Sequence, residues 1–295
     1  ESFSRCPMIY DMLWEMTWTK DPIDPMKWGM NYLERRYGAV NDDLKEAWSV
    51  LLQTIYDCRI NDIAGSLINV RPREKFTSTS GGGRTNITYD AKQFEEVLKL
   101  YLDNYEYFKD SEAFVYDLAD VARQVLQNSS LEFHKRLLNA YYAGDKASFN
   151  LYADKFLELI ALQNDILATS DSCRAGTWIE QARTMLAGAD DWTKDLFEFN
   201  ARCLVTTWGG QRTDLVDYSY RAWSGLTQDY YLKRWTMWVE NHRESLMNDT
   251  GLASMNFFST EWEWVNRKSD EGYAYPTTST TKGSLYTLAS QAYDS

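Results

Sequence analysis

The stretch Asn41–Cys58, NDDLKEAWSVLLQTIYDC, decides the fold. Its apolar residues fall at Leu44, Ala47, Trp48, Leu51, Leu52 and Ile55, a spacing of three and four that gathers them into one stripe of an α-helix. Asn41 stands where a side-chain oxygen accepts from the free N–H groups of the first turn. Working outward, Phe94, Val97, Leu98, Tyr101, Leu102 and Tyr105 repeat the period, as does Phe114–Leu126 through Leu118, Val121 and Val125. Further helices are expected over about Lys146–Ala168, Thr177–Leu186, Trp192–Thr207, Leu215–Glu244 and Ser254–Arg267. Asp190 and Thr213 are placed as helix starts, and Gly38, Gly144 and Gly188 as stops. The alternation of apolar and polar residues that marks a half-buried strand is not sustained anywhere. The fold expected is all-α.

Two segments interrupt the helical period. Thr77–Gly83, TSTSGGG, reads as a surface loop between helices, and Ser269–Ser284 as a polar connection before a last short helix. No fixed-period repeat is present, which argues against a solenoid.

Composition narrows the function. The 295 residues allow one large or two ordinary domains. A formal charge of -12 repels phosphate backbones and excludes a nucleic-acid partner as the leading reading. No apolar run approaches the roughly 20 residues of a membrane helix. The only histidines are His134 and His242, far apart, so neither a metal nor another cofactor is expected. Cys6, Cys58, Cys173 and Cys203 are widely spaced and are expected as buried thiols, although two disulfides would allow three pairings. Aromatic residues make up 15% of the chain, an excess that fits either a bulky core or rings stacked on sugars. Three N-x-Ser/Thr sequons, at Asn86, Asn128 and Asn248, are candidate glycosylation sites.

The chemistry concentrates in Tyr10–Trp18, YDMLWEMTW. As a helix, this segment would turn Ile9, Met12, Leu13 and Met16 inward, and would set Glu15 beside Asp11, Trp14 and Trp18. A carboxylate among indoles is partly desolvated and suited to nucleophilic or acid/base work. A solvated helix edge explains the same residues. Trp178, Trp208, Trp223 and Trp235 fall at helical apolar positions and are expected in the core, while Asp217 and Asp229 are expected to cap or pair.

This segment resembles the C-terminal side of the catalytic barrel in the α-N-acetylglucosaminidase family of glycoside hydrolases, which has lysosomal and bacterial members. The resemblance continues through Tyr37-Gly38, Val70-Arg71-Pro72, Gly176–Arg183, Phe199-Asn200-Ala201-Arg202, Thr207-Trp208-Gly209, Trp223–Leu226 and Arg234-Trp235. It implies that residues 1–25 are the last piece of a TIM-like (β/α)8 barrel and 26–295 a large all-helical C-terminal domain. It further implies a retaining exo-glycosidase acting on terminal α-linked N-acetylglucosamine, in heparan-sulfate fragments or α-GlcNAc-capped glycans. Glu15 would be its nucleophile, with the acid/base glutamate in a part of the barrel that this sequence lacks. Tyr10, Trp14, Trp18 and Arg71 would contact the glycan substrate. The partner expected for the chain is the enzyme's own N-terminal and barrel region, self-association is left open, and the location implied is lysosomal or secreted. The alternative from a different class is a non-catalytic helical module that binds carbohydrate or protein.

Overall fold

A computed structural model describes residues 7–57, 66–76, 87–186, 188–213, 215–279 and 283–295. Its helices are α1 (Pro7–Met16), α2 (Pro25–Tyr37), α3 (Asp42–Gln53), α4 (Ala91–Asp103), α5 (Tyr105–Phe108) and α6 (Glu112–Tyr142). They continue as α7 (Lys146–Ala168), α8 (Ala175–Thr184), α9 (Asp191–Leu204), α10 (Lys233–Asn248), α11 (Phe258–Val265) and α12 (Leu285–Asp294). No strand occurs among the described residues, and one isolated bridge joins Arg174 to Ser224. The fold is all-α, as the periodicity requires.

The boundaries follow from local chemistry. The Asn41 side chain accepts from Leu44 N at 3.0 Å, that of Asp190 from Thr193 N at 2.7 Å, and Gly38 ends α2 at φ 73°. The helix expected over Leu215–Glu244 is a correction. Asp217 and Tyr220 hold positive φ of 64° and 48°, Gly225 holds 85°, and regular helix begins beyond them in a π-helical turn, Thr227–Leu232. Left-handed residues cannot continue a right-handed helix, so Thr213 caps none.

The chain divides into two compact units, and α6 passes from one to the other. The first holds Glu1–Asn61, Ile87–Val125 and Gly283–Ser295. There α2 packs on α3, α3 on α4 and α12 on α4, enclosing Leu33, Leu44, Trp48, Val97, Leu98, Tyr101 and Phe114. The second holds Asp62–Asn86 and Leu126–Lys282. There α8 packs on α9, and α7 and α10 close over the π-helical turn. Phe156, Trp235 and Trp238 surround His134 in this core, with the Trp238 ring stacked at 5.6 Å. Cys173 and Cys203 are free thiols, Cys173 buried as expected and Cys203 half-buried, while Cys6 and Cys58 lie outside the described residues.

His134 Nε2 lies 2.9 Å from the carbonyl oxygen of Arg73, which can only accept, so the nitrogen carries the proton and donates. Burial lowers the imidazole from its ordinary 6.5 to about 4, keeping the ring neutral. The folded state therefore refuses a proton that the unfolded chain binds. Stability from this site is present above about pH 6.5 and is lost as the pH falls towards about 4. His134→Gln keeps a donor but does not titrate. In urea unfolding, the stability of the wild type relative to this variant should fall by about 3 kcal/mol between about pH 7 and pH 4. A difference that stays constant with pH would contradict the account.

Candidate active site

Helix α1 buries Met8 and turns Met12 and Glu15 to the same side, at i, i+4 and i+7. The packed face is thus one step round the helix from the one expected. Ile9, Leu13 and Met16 are 40%, 54% and 56% exposed. The reason lies in the neighbour. Helix α2 presents an indole N–H, and α1 is rolled so that a carboxylate meets it: Trp28 Nε1 donates to Glu15 Oε2 at 2.7 Å. The indole bonded to Glu15 is therefore that of Trp28, while Trp14 and Trp18 stand 57% and 71% exposed and Tyr10 is half-buried. The hydroxyls of Thr17 and Thr19 donate to the carbonyls of Trp14 and Glu15 at 2.7 and 2.8 Å, closing the turn that carries the carboxylate.

Trp28 is itself fixed from below. Asp24 caps α2 through Met26 N at 2.9 Å, and Pro25 occupies the first helical position, where a missing N–H costs nothing. The Trp28 ring stacks on Tyr32 at 5.3 Å and 14°. Arg36 donates from Nη1 to the Tyr32 hydroxyl at 3.2 Å and forks onto Asp117 at 2.6 and 2.7 Å. The Tyr37 hydroxyl donates to the same carboxylate at 2.7 Å and touches the Tyr101 hydroxyl, to which Trp48 Nε1 donates at 3.0 Å. Burial pushes Asp117 above the usual carboxylate range against the pull of Arg36, and pushes Tyr32 up to about 12. This polar column runs from the interior of the first unit to Glu15.

In the second unit the loop after α9 bends through three non-glycine residues at positive φ: Trp208 at 57°, Asp217 at 64° and Tyr220 at 48°. Such conformations cost on the order of 1–3 kcal/mol each and persist only where surroundings impose them. Here Asp217 is clamped by the wholly buried Arg234 through two bonds of 3.0 Å, and Arg234 also donates to Glu261 at 2.7 Å. Burial raises Asp217 to about 6, against the pull of Arg234. Pairing is what the sequence suggested for Asp217. For Asp229 it also holds, through the Tyr275 hydroxyl at 2.8 Å. Arg71 donates from Nε to Glu261 at 2.8 Å and lies over the Phe258 ring at 4.5 Å, so its guanidinium is anchored within this network.

Two tryptophans expected in the core are at the surface. Trp208 is 41% exposed and meets the half-exposed Tyr218 edge-on at 5.0 Å. Trp178 is also exposed, its N–H donated to the Ala201 carbonyl, whereas Trp235 is fully buried and Trp223 partly so. Among the sequons, Asn248 is exposed at the end of α10 and Asn86 lies outside the described residues. Asn128 is a correction: it is buried within α6, where its amide is not open to a glycan. No cluster of metal-ligating side chains occurs among the described residues, and no described helix is long and apolar enough to cross a membrane. Trp28 is not singled out by its local sequence. Its only signal was the i, i+4 spacing of Trp28 and Tyr32 behind an Asp-Pro cap.

Residues 28–294 match the family described as the α-N-acetylglucosaminidase C-terminal domain. The chain is similar to human α-N-acetylglucosaminidase, 31% identical over 243 residues, which are 81% of this chain and 32% of that protein. It is also similar to a family 89 glycoside hydrolase of Clostridium perfringens solved with PUGNAc, at 44% identity and a TM-score of 0.91 over 97% of this chain and 33% of the other. A variant from that organism with two glutamates changed to glutamine, solved with its substrate GlcNAc-α-1,4-galactose, superposes with a TM-score of 0.92 at 44% identity, over 98% of this chain and 33% of the other. The chain spans about a third of the length of these relatives.

Asp117→Asn keeps the shape of the side chain and leaves Arg36 without its counter-charge. Removing one partner of a buried pair should cost roughly 3 kcal/mol in denaturant unfolding. Asp103→Asn, in the exposed pair with Lys99, should cost far less. Equal costs would show that the column does not organise the unit.

Proposed function

The chain belongs to the α-N-acetylglucosaminidase C-terminal domain family, and from that premise we propose that it is part of a retaining exo-glycosidase releasing terminal, non-reducing α-linked N-acetylglucosamine. The observation that carries the reading is Glu15, a half-buried carboxylate fixed through one oxygen by Trp28. The other oxygen, Oε1, attacks the anomeric carbon as the glycosidic C–O bond breaks. The leaving oxygen takes that electron pair and a proton from a second carboxyl group. Water then attacks the same carbon, the ester bond breaks with its pair returning to Glu15, and the second carboxylate takes the water proton. In retaining enzymes the two groups stand about 5–5.5 Å apart. The second carboxylate is supplied by residues outside this chain. The relative trapped with its substrate after two glutamates were changed to glutamine supports a two-carboxylate reaction.

In this reading residues 1–25 work as part of the catalytic barrel and 26–295 as the helical domain. The exposed Ile9, Leu13 and Met16 are the surface on which the rest of the enzyme packs, since leaving each half bare forgoes on the order of 1 kcal/mol of burial. Tyr10, Trp14 and Trp18 lie on or next to the helix that carries Glu15 and face the glycan there. The substrates are α-GlcNAc-capped glycans, including heparan-sulfate fragments, and the setting is lysosomal or extracytoplasmic.

Residues 1–295 alone should not turn over a chromogenic aryl α-N-acetylglucosaminide. In the full-length enzyme, Glu15→Gln should lower kcat by several orders of magnitude while substrate still binds, and Asp11→Asn should do far less. If Glu15→Gln kept more than about a tenth of wild-type activity, less than about 1.4 kcal/mol of barrier, Glu15 would not be the nucleophile.

A further inference from the structure

A pocket in the second unit is lined by polar groups that the fold itself leaves unused. We propose that it binds one neutral pyranose ring of a glycan, whose hydroxyls are held by Arg174, Asp229 and Gln228. The inference takes from the proposed function only that the chain is part of a glycan-cleaving enzyme, and it involves no catalytic residue.

Close backbone approach builds the pocket. One wall is the segment Tyr275–Thr278, from the polar connection that precedes the last helix. It lies against two glycines. A β-carbon on Gly176 would come within 2.2 Å of the Pro276 carbonyl oxygen, and one on Gly225, at φ 85°, within 2.7 Å of the Tyr275 ring. A second wall is α7, where Asn164 Oδ1 accepts from Gly225 N at 2.9 Å and from the Ser224 hydroxyl at 3.3 Å. The third is the π-helical turn Thr227–Leu232, which supplies Gln228 and Asp229. Such turns are rare and recur at functional sites. The cavity measures about 190 Å³. That is far above the roughly 10–15 Å³ one water needs and below the roughly 300–1,000 Å³ of drug-sized sites, which leaves room for a single ring.

The lining supplies what hydroxyls need. Arg174 is 5% exposed. Its Nε donates to the Ala168 carbonyl at 2.9 Å, and its Nη1 to Asp171 at 2.6 Å and to the Thr277 carbonyl at 2.8 Å. Its Nη2 meets no acceptor among the described residues, although a buried donor without one is costly. Asp229 is aimed by Tyr275, whose hydroxyl donates to Oδ2 at 2.8 Å while accepting from Trp264 Nε1 at 2.8 Å. Asp229 Oδ1 is thereby left as a fixed, unbonded acceptor. The exposed amide of Gln228 makes no hydrogen bond among the described residues and can give or take one. A sugar hydroxyl both donates and accepts, so a ring answers all three side chains at once. An anionic ring fits less well, because Arg174 is already paired with Asp171 and the Asp229 carboxylate repels a second negative charge.

The test titrates the full-length enzyme by ligand-observed NMR with galactose, a neutral hexose, and with glucuronate, a hexose-derived ring that bears a carboxylate. Galactose should bind with a Kd on the order of millimolar, as expected of a ligand this small, and glucuronate roughly fivefold or more weakly. Three variants locate the site. Gln228→Ala removes an amide that no described residue uses and should weaken galactose about fivefold. Asp229→Asn keeps an acceptor for Tyr275 but removes the charge, and should weaken it roughly tenfold or more. Thr278→Trp fills the pocket from its exposed rim and should abolish binding. Should Asp229→Asn misfold, the other two, both at exposed positions, decide. Galactose bound equally by the wild type and the variants would overturn the proposal, as would a preference for glucuronate or no galactose binding by the wild type. Hydrolysis of an aryl α-N-acetylglucosaminide is measured on the same wild-type preparation. An active enzyme that binds no galactose refutes this inference alone, whereas an inactive one whose galactose binding is lost in the variants refutes the glycosidase reading and upholds the pocket.

Discussion

The pair Arg36–Asp117 is the interaction on which the candidate site depends. Both side chains are mostly withdrawn from water, at 15% and 14% exposure, and a charge in that position is tolerated only with its counter-charge and hydrogen bonds in place. Asp117 meets the requirement with three donors, two from Arg36 and one from Tyr37. Satisfying it fixes the rotation of α2 against α6. That rotation in turn puts Trp28 and Tyr32, four residues apart on α2, on the side where α1 arrives. Glu15 then finds a donor waiting, on the same face of α1 as the buried Met8.

The second unit solves the same problem with a different result. Arg234 is fully buried between two carboxylates, Asp217 and Glu261, with the rings of Tyr230 and Tyr231 4.3 and 5.4 Å from its guanidinium. Because Asp217 must reach this cation, its backbone is held in a left-handed conformation that a β-carbon disfavours. The loop so constrained carries Trp208 and Tyr218 outward. In both units an ion pair withdrawn from water fixes the position of aromatic side chains, buried Trp28 and Tyr32 in the first and exposed Trp208 and Tyr218 in the second.

Much of this was legible in the sequence because helices announce themselves locally. The stripe of Leu44, Ala47, Trp48 and Leu51, the caps Asn41 and Asp190, and the stop at Gly38 need only neighbours within a few residues. What could not be read there were contacts set by distant partners. Glu15 pairs with Trp28 and Arg36 with Asp117, the latter 81 residues apart. Period alone turns Ile9, Met12, Leu13 and Met16 inward on α1, whereas the face that packs on this chain carries Met8 and Met12 and leaves the other three exposed. It also ran a helix through Leu215–Gly225, where the demand of Arg234 overrides local propensity. Trp208 looked like core for the same reason: an aromatic at a helical position carries no mark of the loop geometry that exposes it. The family resemblance pointed to Glu15, whereas the polar column behind it is visible only in three dimensions.

The central claim is that Glu15 becomes covalently bound to the sugar. It is tested most directly by trapping that bond. A fluorinated α-N-acetylglucosaminyl donor that forms the ester quickly and releases it slowly should be incubated with the full-length enzyme, which is then digested and its peptides sequenced by mass spectrometry. The account predicts one sugar per active site, attached to the peptide containing Tyr10–Trp18 and localised to Glu15. An adduct on any other carboxylate, with Glu15 unmodified, would contradict it.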